Sequence, residues 1–181
     1  MTSTWEFVSL NIAVLTVSDT RDETNDRSGA CLVEKLREAG HTLASRVVLP
    51  DDVYRIRAAV AGWIADPGVH AVLITGGTGF GERDVTPEAV RLLIEQPIDG
   101  YGELFRALSY EEIGSSTIQS RAFAGLANRT LIFSMPGSPR ACRLAWERIV
   151  ESQLDGRNRP CNFIQALFPA QSSCHLEGNA G

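Results

Sequence analysis

The sequence predicts a three-layer α/β/α fold around a mostly parallel central sheet, on three observations. The first half of the chain alternates short apolar runs with amphipathic stretches in the order β-α-β-α-β. That order places parallel strands side by side, joined by right-handed helical crossovers. Two of the runs, Asn11 to Ser18 and His70 to Thr75, are apolar at nearly every position, as strands buried on both faces are. A glycine-rich segment follows the second of them directly, at the carboxyl end of a strand, where open α/β sheets bind ligands.

The elements follow in order. Residues 1–10 read as an N-terminal extension with Trp5, Phe7 and Val8 as docking residues. After the strand Asn11 to Ser18 comes a polar loop, Asp19 to Arg27. Ser28 is the expected N-cap of a helix whose stripe is Cys31, Leu32, Leu36 and Ala39, ended by Gly40. Leu43 to Leu49 is the second strand, stopped by Pro50. Asp51 or Asp52 caps a second helix with Val53, Ile56, Val60, Trp63 and Ile64 on one face. The turn Asp66-Pro67-Gly68 leads to the third strand. Past the glycines, Thr86 as N-cap, Pro87 and Glu88 open a helix that extends to about Gln96. A further helical stretch covers Gly102 to Ile113. Ala122 to Ala127 and Thr130 to Met135 form two short strands joined at Asn128-Arg129, and a last helix spans Arg140 to about Leu154. One domain, residues 11–168, therefore holds all the elements, and residues 169–181 form a small, polar, mobile tail.

Composition narrows the function. The chain has 181 residues, 44% hydrophobic and 22% charged, enough for one domain with its own core. The net charge of −5 argues against a general nucleic-acid binder, and the arginines are scattered rather than clustered. An anionic ligand must therefore be held by local positive charge, backbone N–H groups or a metal. Cys31, Cys142, Cys161 and Cys174 form no Cys-x-x-Cys pair, and His41, His70 and His175 stand apart from them, so zinc is not expected. No secretory leader and no apolar run of membrane-spanning length is evident. The expected location is cytoplasmic, without a membrane partner.

The residues able to do chemistry gather at the predicted carboxyl ends of the strands: Ser18 and Asp19, then Asp51 and Asp52, then Thr75 to Gly81, then Pro136 to Ser138. Thr75 to Gly81 contains four glycines and two threonines. Such a loop turns sharply, and its N–H groups can cradle phosphate oxygens. It is neither a Walker A loop nor a dinucleotide fingerprint, since the Lys and the required glycine spacing are missing. Asp84 either complements a helix dipole or ligates Mg²⁺ beside phosphates. Asp51 has the same two readings, cap or ligand. Arg83 can pair with phosphate oxygens or be a solvated side chain. Tyr101 and Phe105 are either core or a stacking surface. Ser134, Gly137 and Ser138 can receive a phosphate at the start of the last helix, with a plain N-cap as the bland reading of Ser138.

Several segments together resemble the MoaB/MogA family of molybdopterin-binding domains. They are Leu49-Pro50-Asp51-Asp52, Thr75-Gly76-Gly77-Thr78-Gly79, Arg83-Asp84-Val85-Thr86-Pro87-Glu88-Ala89, Gly100-Tyr101-Gly102-Glu103 and Met135-Pro136-Gly137-Ser138. The likeness runs from about Asn11 to Phe168, and Gln153 to Phe163 looks like the MoaB branch. The resemblance implies a molybdopterin-binding α/β domain assembled as homo-trimers or hexamers. It implies a molybdopterin pocket and, in active members, adenylyl transfer from ATP with Mg²⁺. Asp51 and Asp84 match the two functional aspartates and are the expected catalytic and Mg²⁺-binding residues. Thr75, Gly76, Gly77, Thr78 and Gly79 match the nucleotide loop, and Pro136, Gly137 and Ser138 match part of the pterin pocket. Ser18, Ser28, Arg83 and Glu103 complete the expected binding set. Arg27 stands where many relatives have threonine. The alternative function is a non-catalytic protein that binds or delivers molybdopterin in the same pathway.

Overall fold

The computed structural model describes residues 6–168. Trp5 and the segment 169–181 lie outside the described residues. Six strands form one sheet in the order β2-β1-β3-β6-β5-β4. They are β1 (Asn11–Val17), β2 (Thr42–Leu49), β3 (Ala71–Thr75), β4 (Gln96–Pro97), β5 (Phe123–Ala127) and β6 (Thr130–Met135). β2, β1, β3 and β6 run parallel, while β5 is antiparallel to β6 and to β4. The main helices are α1 (Arg27–Glu38), α2 (Val53–Ala65), α3 (Thr86–Val90), α4 (Asp99–Ile113) and α5 (Pro139–Ala145). From α5 the helix continues through a π-turn at Trp146–Val150 into α6 (Glu151–Gln153), and α7 (Ile164–Leu167) closes the domain.

The continuous apolar runs become the central strands because both of their faces are covered. Ile12 and Val14 of β1 point into a core with Leu32 and Leu36 of α1, Phe105 of α4 and Trp146. Ala13, Leu15 and Val17 point the opposite way, onto Ile56 and Val60 of α2 and Ala89 and Val90 of α3. This alternation makes the three layers. Each fully buried Leu or Ile in these clusters contributes about 1.5–3 kcal/mol. Phe7 docks the N-terminal extension, its ring 5.2 Å from that of His41, and Val8 packs on the first core. The β5–β6 hairpin turns at Asn128 and Arg129, with φ of 44° and 62°, the doubly left-handed turn that matches strand twist.

Four expectations are corrected. Asp26, not Ser28, caps α1: its carboxylate accepts the Gly29 N–H at 2.9 Å, and the helix begins one residue before Ser28. Thr86 lies inside α3 rather than capping it, and its hydroxyl donates to the carbonyl of Gly76 at 2.9 Å. The helix expected to reach Gln96 ends at Val90, tightens into a 3₁₀ turn at Arg91–Leu93, and gives way to β4. The sheet edge wins there, because Glu95 and Ile98 donate N–H groups to Leu126 and Ala124 of β5 at 3.1 and 2.9 Å. Finally, α4 starts at Asp99 instead of Gly102, and a 3₁₀ segment, Gly114–Gln119, follows it. Among the described residues no helix is long and apolar enough to cross a membrane.

Candidate functional site

The chain crosses from one side of β1 to the other between β2 and β3, which makes a topological switch point, the usual ligand crevice of an open α/β sheet. A cavity of about 580 Å³ opens there, at the carboxyl ends of the strands. The end of β1 supplies Val17 and Ser18, the end of β2 supplies Asp51, and the loop after β3 supplies Gly76 to Gly79 and Gly81 to Asp84. Pro136 and Gly137 come from the end of β6, and the segment after α4 closes the far side with Ser116, Gln119 and Ser120.

The backbone of the glycine loop is shaped by what it must approach. Gly76 has φ of 103°, and a Cβ there would overlap the carbonyl oxygen of Val17. Gly77 has φ of 63°, and a Cβ there would overlap the Thr86 hydroxyl and come within 2.9 Å of Oδ1 of Asp51. Only glycine lets the loop lie this close to the aspartate. The N–H groups of Gly77, Thr78 and Gly79 donate to nothing among the described residues, so they are available to an anion.

Asp52 takes the capping role, accepting N–H groups of Tyr54 and Arg55 at 2.9 Å each. That leaves the Asp51 carboxylate without a hydrogen-bond donor among the described residues. Burial, then the charges of Asp19 and Asp84, push its carboxyl above the usual carboxylate range, with Arg83 opposing. Asp84 reaches the same cavity from the other side of the loop, its Oδ2 accepting the Gly81 N–H at 2.8 Å. Arg83 is held by Asp19 through two bonds of 2.8 Å. Those bonds, then the Asp51 N–H, hold the Asp19 carboxyl below its usual range.

Most of the expected binding residues therefore converge. Ser18, Asp51, Gly76, Gly77, Thr78, Gly79, Arg83, Asp84, Pro136 and Gly137 line one cavity. Others stand behind it. Thr75 is buried and donates to the carbonyl of Pro136 at 3.0 Å, and Ser28, also buried, donates to the carbonyl of Gly137 at 2.9 Å. Ser138 is the cap of α5, accepting the Ala141 N–H at 3.1 Å. Ser134 is fully buried in β6. Tyr101 and Phe105 are core, with Tyr101 packed edge-on against Phe133. Glu103 lies elsewhere, in a separate cavity of about 380 Å³ with Arg91 and Arg106.

Two arginines escaped the sequence reading. Arg21 lines the cavity from the β1–α1 loop; its place just past a strand's carboxyl end was the signal available. Arg121 sits under the glycine loop, bonded to the carbonyls of Gly79 and Asp84, and nothing local in the sequence marks it.

Among the described residues no group of three or more metal-ligating side chains is gathered, and Asp51 and Asp84 are the two carboxylates that could hold a small divalent cation. Two carboxylates from different loops line one cavity, and one of them has no protein donor to offset its charge among the described residues. Hard cations prefer such oxygens.

Comparison with known proteins identifies the family and the fold. Residues 13–156 match the family model described as a probable molybdopterin binding domain. The chain is 54% identical over 158 residues to molybdenum cofactor biosynthesis protein B of Escherichia coli (strain K12), covering 87% of this chain and 93% of that protein. A crystal structure of a molybdenum cofactor biosynthesis protein B superposes with a TM-score of 0.78 at 45% identity, over 81% of this chain and 92% of that one. The tungsten cofactor synthesizing protein MoaB from Pyrococcus furiosus superposes with a TM-score of 0.71 at 34% identity, over 78% and 90%. With residues 13–156 matching the family model and these relatives covering most of its length, this chain belongs to the molybdopterin-binding domain family, in the MoaB/MogA group.

Proposed function

We propose that this protein acts in molybdenum cofactor biosynthesis by binding molybdopterin and transferring an adenylyl group to it from ATP. One observation carries the reading: Asp51 and Asp84 line one cavity with a glycine loop whose Gly77, Thr78 and Gly79 N–H groups are free among the described residues.

In the reaction, an oxygen of molybdopterin's terminal phosphate attacks the α-phosphorus of ATP. The new P–O bond forms as the bond to the β-phosphate oxygen breaks, and pyrophosphate leaves. The nucleophile is already anionic, so the chain needs no strong general base. The cavity contributes positioning and charge neutralisation. The N–H groups of Gly77, Thr78 and Gly79 would hold the leaving phosphates. Asp51 and Asp84 would hold Mg²⁺, which supplies charge neutralisation at the phosphate oxygens. Burial of Asp51 beside Asp19 and Asp84 disfavours its charged form, which a bound cation would offset. Assembly into homo-trimers or hexamers belongs to the same proposal, and Leu92, Tyr110 and Ile118 are exposed apolar side chains available to it. So does a cytoplasmic location, where ATP and reduced thiols are found.

The test is a single-turnover assay with molybdopterin, ATP and Mg²⁺, following pyrophosphate and adenylyl-molybdopterin. Product in the wild type, and none in a folded Asp84→Asn variant, is the expected result. Tight molybdopterin binding without product would replace adenylyl transfer by binding or delivery of the pterin.

A further inference from the structure

Arg21 and Arg83 both line the main cavity, yet they are engaged very differently. Arg83 gives Nε and Nη2 to Asp19 and is thereby neutralised. Arg21 uses Nη1 alone, donating to the carbonyl of Gly137 at 2.8 Å and to the Ser28 hydroxyl at 3.1 Å. Its Nε and Nη2 have no acceptor, and no carboxylate pairs with it, among the described residues. The anchored Nη1 fixes the plane of the guanidinium. The opposite edge, Nε and Nη2, is left as a two-donor fork of the kind that fits two oxygens of one oxyanion. Because the fork is already held, binding costs little side-chain entropy.

The cavity is also polar in the electrostatic sense. The charges of Asp19 and Asp84 both act on Asp51 at one side of it. Arg21 stands beside Gly137, whose loop carries no charge as far as Ser138. A ligand with a cation-bridged polyphosphate at the aspartates and a second, separate phosphate elsewhere would find the counter-charge for that phosphate at Arg21.

We infer that Arg21 is an anion-binding residue that receives a phosphate monoester between the β1–α1 loop and the Pro136-Gly137 turn. This deepens the proposed function, on which it rests only for the identity of the phosphate's carrier, the pterin. The anion site itself stands on the free guanidinium edge. It divides the cavity's labour: the acceptor's phosphate at Arg21, the nucleotide's phosphates at the glycine loop.

The test is a titration of the ¹⁵N-labelled full chain with inorganic phosphate, and in parallel with methyl phosphate, read on the Arg21 Nε–H signal and the backbone amides. A saturable shift of Arg21 Nε–H and of the Gly137 amide with both probes is expected. Methyl phosphate binding at least as well as inorganic phosphate identifies a monoester site, and binding of inorganic phosphate alone overturns that assignment. Arg21→Met should weaken phosphate at least about tenfold, the factor for one lost charge-assisted contact. If that variant does not fold, Arg21→Lys keeps the charge but not the fork, and should still bind phosphate measurably more weakly than wild type. Shifts confined to Gly77, Thr78 and Gly79, no saturable shift at all, or unchanged affinity in the folded variants would overturn the inference. A protein that lacks adenylyl transfer but shows the Arg21 shift would refute the proposed reaction and leave the anion site standing.

Discussion

Arg121 donates from Nη2 to the backbone carbonyl of Asp84 at 2.6 Å, and from Nε to the carbonyl of Gly79 at 2.8 Å. One side chain thereby ties Gly79 to Asp84. It also pairs with Glu88 at the start of α3 and lies 5.2 Å from the Phe80 ring, while its own N–H donates to the carbonyl of Thr78 at 3.0 Å. Arg121→Met should cost about 1–3 kcal/mol of stability, the range for orphaning such acceptors. Hydrogen exchange at Gly81 and Asp84 should quicken in proportion, and turnover should fall by more than the loss of folded protein explains. Unchanged exchange at those two amides would show that the loop holds itself.

Asp51 illustrates a site that opposes folding. Burial and the neighbouring Asp19 and Asp84 raise its carboxyl in the folded state. The folded chain then binds more protons through this group than the unfolded chain does. Stability falls as pH rises from the ordinary carboxylate value of 3.8 through the raised one. Asp51→Asn should therefore raise the melting temperature at neutral pH, by about 2–4 °C if the relief is near 1 kcal/mol. It should also remove turnover and abolish the stabilisation that Mg²⁺ gives the wild type. A variant that melts lower than wild type would contradict this account.

Asp26 shows the reverse arrangement. Burial alone would raise its carboxyl, but the Gly29 N–H, the Thr16 hydroxyl at 2.8 Å and Arg46 at 3.0 Å outweigh it and hold it below the usual range. Its contribution is complete above the unfolded value of 3.8 and is lost as pH falls below it. Asp26→Ala removes both the α1 cap and the partner of Arg46, and should cost about 2–4 kcal/mol. Urea denaturation at pH 7 measures that cost. At a pH well below 3.8 the difference between variant and wild type should shrink.

His41 and His70 hold adjacent backbone groups, with Nδ1 accepting the N–H of Leu10 at 3.2 Å and of Asn11 at 2.9 Å. Burial lowers both imidazoles below 6.5. Folding therefore favours their neutral forms, so the stability they confer is present above 6.5 and is lost as pH falls below it. Denaturation midpoints should decline between neutral pH and about pH 5.5, where unperturbed histidine is charged. In His70→Gln, whose amide can still accept, the decline should be shallower.

The sequence by itself determined the layers and the place of the site. Runs such as NIAVLTV and AVLIT are apolar on both faces, and only a strand covered above and below accommodates that. Their order then brought the strand ends, with Asp51 and Gly76, to one edge of the sheet, while only the fold put Asp51 and Asp84 on the same cavity. Tertiary structure decided whatever depends on a partner distant in the chain. Local signals favoured Ser28 and Thr86 as caps, yet each hydroxyl is drawn to the carbonyl of another loop, Gly137 and Gly76. The helix to Gln96 was cut short by the hydrogen bonds of β5, some thirty residues on. Glu103 lies on α4 and lines a different cavity, together with Arg91 and Arg106. Arg21 and Arg121 acquired their roles only from the carbonyls the fold set before them. Periodicity and glycine spacing record what a residue does to its own backbone. A side chain's reach across the fold leaves no such record.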